Sequence, residues 1–291
     1  KDRYGVEAIC RILPIAASTY YRALDLVDNP EHRAKRALHD LHHAEQIKRI
    51  WKESLGRYGV RKVWQQLKRE GYVIARCTVA RLMQKLGIQG VWRGKNKQTT
   101  RSRDDQKRAD DLVKRNFNAD HPDQLWVADF TYIQTHSGWV YTAFIIDVFS
   151  RAIVGWKVST RMNTDMVLDA LEQALHDRGM PKNVIHHSDR GVQYLSIRYT
   201  NRLEAANLRA SVGTTGDSYD NALAETVNGL YKTEVIEYLK ADWQGLADVQ
   251  LATLNWVDWF NKERVHSALG YVSPFEFEAM YYDKINPLGQ V

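Results

Sequence analysis

The composition of the chain changes at Pro122, and this change limits the folds open to it. Three β-rich runs follow in close succession, at 125–134, 139–148 and 152–159. They are rich in Val, Ile, Phe, Trp, Tyr and Thr, which are the residues enriched in strands. Because consecutive strands joined by short turns usually pair with each other, the sequence predicts an antiparallel three-stranded meander.

Helices and strands alternate after the meander. Hydrophobic periodicity and turn residues predict, in order, a helix at about 164–178, a strand at 184–187, a helix at 196–206, a strand at 210–212, a helical stretch at about 220–239 and a helix at 246–263. A glycine-containing loop at 213–217 precedes the helical stretch. This order of elements is the one expected for an RNase H-like α/β fold. The sequence therefore predicts a mixed five-stranded sheet with flanking helices.

The front of the chain is typical of small all-α modules. Residues 4–24 predict two short helices with a break at Pro14, the second capped by Ser18. Residues 28–44 predict a polar linker that runs into a helix. Between 45 and 90 the apolar positions follow a helical period three times. Three short amphipathic helices favour a helix-turn-helix module, although three-helix bundles also serve as plain packing units.

Charge is distributed unevenly along the chain. Residues 1–118 carry 27 Lys and Arg against 13 Asp and Glu, whereas 119–291 carry 14 against 22. The densest basic block, 51–103, has 14 basic and two acidic side chains. Such an excess favours a polyanionic partner, and nucleic acid is the usual one. The third predicted helix is the candidate reader of a DNA groove, and the candidate DNA contacts of the module are Arg61, Lys62, Arg76, Arg81 and Lys85.

Several protein classes are disfavoured by the sequence. Its two cysteines, Cys10 and Cys77, form neither a CxxC pair nor part of a zinc-ligand pattern. We therefore expect no disulfide framework and no zinc finger, and a reducing cytosol fits the composition. No stretch reaches the roughly 18 apolar residues of a membrane helix, and the first residues lack the apolar segment of a signal peptide. The expected location is the cytoplasm, without a membrane partner.

Three acidic residues occupy positions at which the predicted elements would bring them together. Asp129 lies inside an apolar strand, Asp189 follows the next predicted β-run, and Glu225 lies near the start of a helix. A charge inside a strand is costly unless it is paired or binds a cation. Single acids at such positions are usually caps or ion-pair partners. Together, however, they suit phosphoryl transfer by two divalent ions about 4 Å apart, for which Mg²⁺ prefers carboxylate ligands.

Other residues compete for a role in this site. Asp147 ends a strand before a turn, and a structural role is favoured for it. Asp217 and Asp220 flank the start of a helix, where they suit the helix dipole. His186 and His187 either support the carboxylates or pack beside the end of the strand, and the sequence leaves both interpretations open.

Five motifs run through the rear half: Trp126-x-x-Asp129-x-Thr131-Tyr132, Asp147-x-x-Ser150-Arg151, His187-Ser188-Asp189-Arg190-Gly191-x-Gln193-Tyr194, Asp220-Asn221-Ala222-x-x-Glu225 with Lys232, and Asn261-x-x-Arg264-x-His266-x-x-Leu269-Gly270 with Pro274. Together they resemble the catalytic frame of bacterial insertion-sequence transposases, within the retroviral-integrase superfamily. The resemblance covers residues from about 45 to 280, and the 35 residues between Asp189 and Glu225 match the family spacing. It implies that Asp129, Asp189 and Glu225 are the catalytic, metal-binding triad.

The resemblance also implies an activity and partners. The enzyme would bind two Mg²⁺ ions per active site, or Mn²⁺ in their place, cleave DNA at insertion-sequence ends and catalyse strand transfer. Its partners would be the double-stranded terminal repeats, target DNA in the bacterial nucleoid, and further copies of the chain in a homo-oligomer assembled on DNA. Asn221, Asn228 and Lys232 are expected to contact DNA. At about 100° per residue, Lys232 lies only about 20° from the helix face of Glu225.

The predicted domains are a helical segment at 1–44, a helix-turn-helix-like DNA-binding domain at 45–92, a basic linker at 93–118, an RNase H-like catalytic domain at 119–280 and a tail at 281–291. Two other functions are considered. A DNA-binding regulator could use the RNase H-like domain as a scaffold, but it would not need three costly carboxylates. A nuclease or resolvase could cleave without joining, but the basic N-terminal module favours an element-specific recombinase. The Asn261–Pro274 motif is expected at most to pack a C-terminal helix.

Overall fold

The computed structural model of the chain describes residues 5–13, 15–92, 113, 117–189, 193–212, 222–239 and 242–286. The chain divides into two compact units, Lys1–Gly90 and Val91–Val291. Within the described residues, no helix has both the length and the apolar character that crossing a membrane requires. Most of the predicted basic linker, the glycine-containing loop at 213–217 and the predicted break at Pro14 lie outside the described residues.

The regular secondary structure in the described residues of the first unit is helical. Its helices are α1 (Val6–Ile12), α2 (Ala17–Asp28), α3 (Lys35–Glu53), α4 (Val60–Arg69) and α5 (Arg76–Lys85). The last three pack on one another, and their apolar positions recur at the three- and four-residue spacing of an amphipathic helix. The residues they bury are Ile47, Ile50, Val63, Leu67, Val79, Leu82 and Met83. The predicted helical module is therefore confirmed.

Two details of the first unit differ from the prediction. Ser18 does not cap the second helix, because α2 begins at Ala17 and its N-cap, Ala16, offers no side-chain acceptor. The predicted polar linker at 28–44 is helical from Lys35 onwards. Polar and charged residues suit the exposed face of a helix as well as a linker, and the predicted boundary between 44 and 45 consequently falls inside α3.

The second unit is built on one mixed sheet. Its strands are β1 (Leu125–Thr135), β2 (Gly138–Asp147), β3 (Ile153–Ser159), β4 (Ile185–Ser188) and β5 (Arg209–Val212). Their order across the sheet is β3-β2-β1-β4-β5. The first three strands form the predicted antiparallel meander, and β4 and β5 run parallel to β1. The predicted five-stranded mixed sheet is confirmed.

Helices cover both faces of this sheet. They are α6 (Thr164–Asp177), α7 (Ile197–Ala205), α8 (Ala222–Tyr231), α9 (Leu246–Lys262) and α10 (Pro274–Ile285). Successive side chains of a strand point to opposite faces. Two neighbouring residues of β2 therefore show which helices pack on each face of the sheet. Ile145 lies in a buried cluster with residues of α6 and α7, whereas Phe144 contacts Tyr231 and Trp256, at the end of α8 and in α9. The predicted tail at 281–291 is helical as far as Ile285.

The long helix predicted at 220–239 changes its winding partway. After α8, a π-helical segment covers Lys232–Glu237. Glu234, within this segment, is buried, and its carboxylate accepts hydrogen bonds from Arg264 and from the indole of Trp256. A turn of π-helix is uncommon and is found frequently at functional sites. The π-helical segment places Glu234 against the guanidinium of Arg264, thirty residues away in sequence.

Candidate active site

Register brings Asp129 and Asp189 side by side. The parallel pairing of β1 with β4 ends where Ala128 faces Ser188. Asp129 and Asp189 are the next residues along the two strands, so they lie side by side where β4 ends, with Asp129 still inside β1. Asp129 is partly buried and Asp189 is exposed. The parallel pair thus carries two adjacent carboxylates at one point.

Glu225 lies on a third element, the helix α8. It lies in the first turn of α8, and its side chain is exposed. One turn further along, Asn228 donates a hydrogen bond of 2.8 Å from Nδ2 to Oδ2 of Asp129. The other carboxylate oxygen of Asp129 accepts from the backbone N–H of Phe130 at 2.8 Å. Asn228 therefore fixes both the position of α8 against β1 and the orientation of the Asp129 carboxylate.

The three carboxylates influence one another electrostatically. Burial, followed by the negative charges of Asp189 and Glu225, raises the pKa of Asp129 from 3.8 to about 8, although the hydrogen bonds from Phe130 and Asn228 oppose the rise. A carboxylate surrounded in this way disfavours its own charged form. A bound cation would reverse this preference. The arrangement is typical of a functional site rather than of a stabilising ion-pair network.

The donor groups at this edge of the sheet fit a hard divalent cation. Carboxylate and amide oxygens are the ligands that Mg²⁺ and Mn²⁺ accept. Among the described residues, the buried Oδ1 atom of Asn228 and the buried hydroxyl of Tyr194 have no hydrogen-bond partner. Within that same part of the chain, no group of three or more His, Cys, Asp and Glu side chains is already arranged around a metal position. The oxygens of the three acids and of the Asn228 amide are of the kind that such a cation binds, but in the described part of the chain the three carboxylates do not surround a common point.

Both histidines beside the site are packed side chains. His186 and His187 are buried in β4. The hydroxyl of Tyr199 lies 3.0 Å from Nε2 of His186, and the Ser211 hydroxyl lies 2.9 Å from Nδ1 of His187. Burial, with the neighbouring charge of His187, lowers the pKa of His186 to about 3. A neutral, hydrogen-bonded imidazole in the core supports the packing interpretation of His186.

Asp147 has the structural environment that the sequence favoured for it. It is fully buried at the end of β2. Its Oδ1 atom accepts hydrogen bonds from the backbone N–H and the hydroxyl of Ser150, and its Oδ2 atom accepts from the backbone N–H of Asp123. Burial nevertheless raises the pKa of Asp147 to about 6. The carboxylate closes the turn between β2 and β3.

We expect Asp147→Asn to lower the free energy of unfolding by about 1–3 kcal/mol, because an amide nitrogen would replace one acceptor and leave a buried donor unsatisfied. Urea denaturation measures this change. DNA cleavage per folded molecule should stay near the wild-type level. Unchanged stability together with lost cleavage would instead place Asp147 in the chemistry.

The predicted DNA contacts of the first unit lie on α4 and α5. Arg61, Arg76 and Lys85 are exposed. Arg81 is also exposed, but its guanidinium forms a 2.8 Å ion pair with Asp40 of α3. The ammonium of Lys62 lies over the ring of Tyr58, 5.0 Å from its centre. On α5, the candidate reading helix, Arg76 and Lys85 are therefore the predicted DNA contacts with the most accessible side chains.

The predicted DNA contacts near Glu225 have different environments. Asn228 is buried and bonded to Asp129, so its side chain orients a carboxylate in this structure. Lys232 is partly exposed, and its ammonium lies 4.7 Å from the ring centre of Tyr132 in β1. Asn221 lies outside the described residues.

Residues of the Asn261–Pro274 motif hold elements of the second unit together. Asn261 of α9 holds β3 through two hydrogen bonds, accepting from the backbone N–H of Ile153 at 2.9 Å and donating to its carbonyl at 2.8 Å. Arg264 forms a buried ion pair with Glu234 at 2.6 Å. Pro274 begins α10 directly after Ser273, which forms a capping box with Glu276. No sequence signal had indicated the partners of Asn261 and Arg264.

Family models match both units. An HTH-like domain matches residues 39–96, and integrase core domains match 119–218 and 206–274. Among solved structures, the magnesium complex of the HTLV-2 integrase catalytic core domain (trimeric form) has a TM-score of 0.45 and 18% identity, covering 55% of this chain and 99% of that one.

Curated relatives match over nearly the whole length. The transposase for insertion sequence element IS629 of Shigella sonnei is 53% identical over 98% of this chain and 95% of that protein. The putative transposase for IS986/IS6110 of Mycobacterium tuberculosis is 50% identical over 93% of this chain and 97% of that protein. Transposase InsF of Escherichia coli K12 is 31% identical over 94% of each chain. The chain belongs to the family of bacterial insertion-sequence transposases that carry an HTH-like domain and an integrase core domain.

Proposed function

We propose that this transposase cleaves DNA at the ends of its insertion sequence and joins the freed ends to new DNA at the Asp129, Asp189 and Glu225 site. The supporting observation is that Asp129 and Asp189 lie side by side where β4 ends, and that burial together with the charges of Asp189 and Glu225 raises the pKa of Asp129 to about 8. A carboxylate whose charged form is disfavoured in this way is a cost to the folded protein, and such groups cluster at functional sites. The three acids match the ligands that metal-dependent phosphoryl transfer requires.

The proposed reaction consists of two displacements at phosphorus. In the first, a water oxygen bonds to the scissile phosphorus while the bond to the 3′ oxygen of the element breaks, which leaves a 3′-hydroxyl. In the second, that 3′ oxygen bonds to a target phosphorus while the target's own 3′ oxygen leaves and takes up a proton. One phosphodiester bond replaces another in the second step, so joining needs no ATP and no covalent protein intermediate.

The protein's own groups would hold and orient the reacting parts. Asp129, Asp189 and Glu225 would hold two Mg²⁺ or Mn²⁺ ions, and Asn228 keeps the Asp129 carboxylate in its orientation through the hydrogen bond from Nδ2. When bound, the ions supply activation of the attacking oxygen and stabilisation of the leaving one. An insertion sequence has two ends, and two copies of the chain could hold both ends at once, which favours a homo-oligomer assembled on the DNA of the bacterial nucleoid.

The first unit is proposed to supply DNA affinity through its basic helices. We expect the double variant Arg76→Ala/Lys85→Ala to weaken binding of element-end DNA and to flatten its salt dependence. Each phosphate contact adds about −0.9 to the slope of log affinity against log salt, so the slope should fall in magnitude by up to about two. Fluorescence anisotropy at several salt concentrations measures it. Lys157→Ala is the control, because Lys157 on β3 already pairs with Asp169 at 2.8 Å. Equal slopes for both variants would contradict this role.

Lys232 is proposed to contact the DNA backbone next to the cleavage site. We expect Lys232→Ala to lower the rate of strand transfer and the affinity for the cleaved end, since a positive charge beside the phosphates is lost. Circular dichroism should show an unchanged fold, and a gel assay with precleaved DNA measures joining. Lys262→Ala on α9, where Lys262 pairs with the exposed Asp258, is the matched control. Equal joining by the two variants would make Lys232 an ordinary surface charge.

Incubation with labelled element-end DNA and a target plasmid tests the proposed function. With Mg²⁺, nicked and joined products should both form, and EDTA should abolish both. Nicked product without joined product would favour the nuclease alternative. DNA binding without any product, under conditions that support a related transposase, would favour a regulator and contradict the proposal.

A further inference from the structure

Two exposed aromatic side chains lie together near the catalytic edge of the sheet. Tyr132 of β1 and Trp139 of β2 are 47% and 49% exposed. Their ring centres are 5.3 Å apart and their planes meet at 80°. Large aromatic side chains are usually much more buried than this. A half-exposed pair of rings is therefore a feature that the packing of the sheet does not explain by itself.

Helix α8 and the π-helical segment that follows it contact both Asp129 and the aromatic pair. Asn228 contacts Asp129, and Lys232, about one turn further on, contacts Tyr132. Tyr132 follows Asp129 by three residues, which is about 10 Å along a strand, and because side chains alternate it lies on the other face of β1. Beyond Ala128 the described part of β4 no longer pairs with β1, and Lys232 contacts Tyr132 at this edge. A DNA strand whose scissile phosphate lay at Asp129 would reach Tyr132 and Trp139 by passing this edge beside Lys232.

The hairpin that carries the pair is held in place. The backbone N–H groups of His136 and Ser137, at the tip between β1 and β2, donate to the carbonyls of Trp243 and Gln244 at 2.9 and 3.1 Å. The hydroxyl of Ser137 donates a second hydrogen bond to the Gln244 carbonyl at 2.6 Å. The rings are therefore presented by an anchored hairpin, and binding a flat ligand on them would cost little ordering of the backbone.

The chemistry of the surface selects its ligand. Exposed rings bind flat apolar groups, and the Lys232 ammonium beside them adds a positive charge. A nucleotide combines a flat base with a phosphate, and bases stack on aromatic side chains with little regard to sequence. We propose that Tyr132 and Trp139 form a stacking platform for an unpaired nucleobase of the DNA end beside the scissile phosphate, with Lys232 pairing the adjacent phosphate. This site rests on the proposed function, and it would hold the end open for attack.

Binding to DNA with and without bases tests the platform. The probes are a labelled duplex with a short single-stranded extension and the same duplex with abasic sites in the extension. Both are titrated with full-length protein without divalent metal, so that no strand is cut. Stacking on one ring changes affinity by about 5- to 150-fold, so wild-type protein should prefer the base-bearing extension by a factor in this range.

The variants separate stacking from other roles of the pair. Trp139→Leu and Tyr132→Leu keep apolar surface but remove a ring, and each should reduce the preference for bases towards equality. Trp139→Phe keeps a ring and should retain most of it. Tyr282→Leu is the matched control, because Tyr282 of α10 is also 47% exposed, and it should behave as wild type.

Several outcomes would overturn the platform. These are no preference for bases in the wild-type protein, or an equal preference in the wild-type and Trp139→Leu proteins. A change of oligomeric state in Trp139→Leu at an unchanged preference would show instead that the rings contact a second copy of the chain. Cleavage of fully paired element ends with Mg²⁺ is measured separately. Its absence would refute the proposed function, whereas the binding comparison alone decides the platform.

Discussion

Asp129→Asn, Asp189→Asn and Glu225→Gln should each reduce cleavage and strand transfer by at least about 1000-fold, since groups that act directly on charge at the reacting centre contribute on this order. The fold should survive each change. Asp129→Asn should change the melting temperature little in the absence of metal, because relief of a carboxylate whose pKa burial and neighbouring acids raise to about 8 offsets the one hydrogen bond that the amide nitrogen cannot accept. Gel assays with labelled element ends and thermal melts measure the two effects.

The matched control for these variants is Glu237→Gln, in the same π-helical segment as Lys232 but outside the spacing of the triad. It should cleave and join at nearly the wild-type rate. Near-normal joining by any one of the three triad variants would remove that residue from the site. A large fall in the melting temperature of Asp129→Asn would show that its carboxylate stabilises the fold, which contradicts the electrostatic account.

Arg264→Ala should lower the free energy of unfolding by about 3–5 kcal/mol, the range found when one partner of a buried ion pair is removed. Arg264 and Glu234 have side chains only 5% and 8% exposed, and their atoms lie 2.6 Å apart. Removal of the guanidinium would take away the paired cation of the buried Glu234 carboxylate, which also accepts a hydrogen bond from the indole N–H of Trp256 at 3.1 Å. Chemical denaturation of the full chain measures the loss.

Two further variants identify the cause of that loss. Lys262→Ala breaks the nearby Lys262–Asp258 pair, whose side chains are 58% and 56% exposed, and should change stability by no more than about 1 kcal/mol. The double variant Glu234→Leu/Arg264→Met removes both buried charges and should recover much of the loss. If Arg264→Ala were no more destabilising than Lys262→Ala, the ion pair would not hold the π-helical segment.

The sequence predicted the sheet well because its signals are local. The meander strands are β-branched and aromatic, they are joined by short turns, and their observed bounds differ from the predicted ones by at most one residue. The proximity of Asp129 and Asp189 agrees with their sequence positions, because Asp129 lies inside β1 and Asp189 directly follows β4, the strand that pairs with β1. Glu225 required the family spacing, since a helix start alone does not indicate which strand it faces.

Other features depend on contacts that no local pattern encodes. The residues from 232 to 237 have good helical periodicity, so the sequence predicted one continuous helix. The π-helical winding became visible only with Glu234 buried against Arg264. The contact of Asn228 with DNA stays a prediction, and its hydrogen bond to Asp129 was not indicated by the sequence. The sequence also did not predict that Tyr132 and Trp139 are exposed, because aromatic residues in a strand usually indicate buried positions.

The central claim is that Asp129, Asp189 and Glu225 bind the divalent ions at which DNA is cut and joined. Electron paramagnetic resonance of Mn²⁺, in the presence of element-end DNA, counts bound ions directly. We expect two ions per wild-type active site, and fewer in Asp189→Asn, at a protein concentration where both proteins bind the DNA fully. Equal Mn²⁺ binding by wild type and Asp189→Asn would contradict the account.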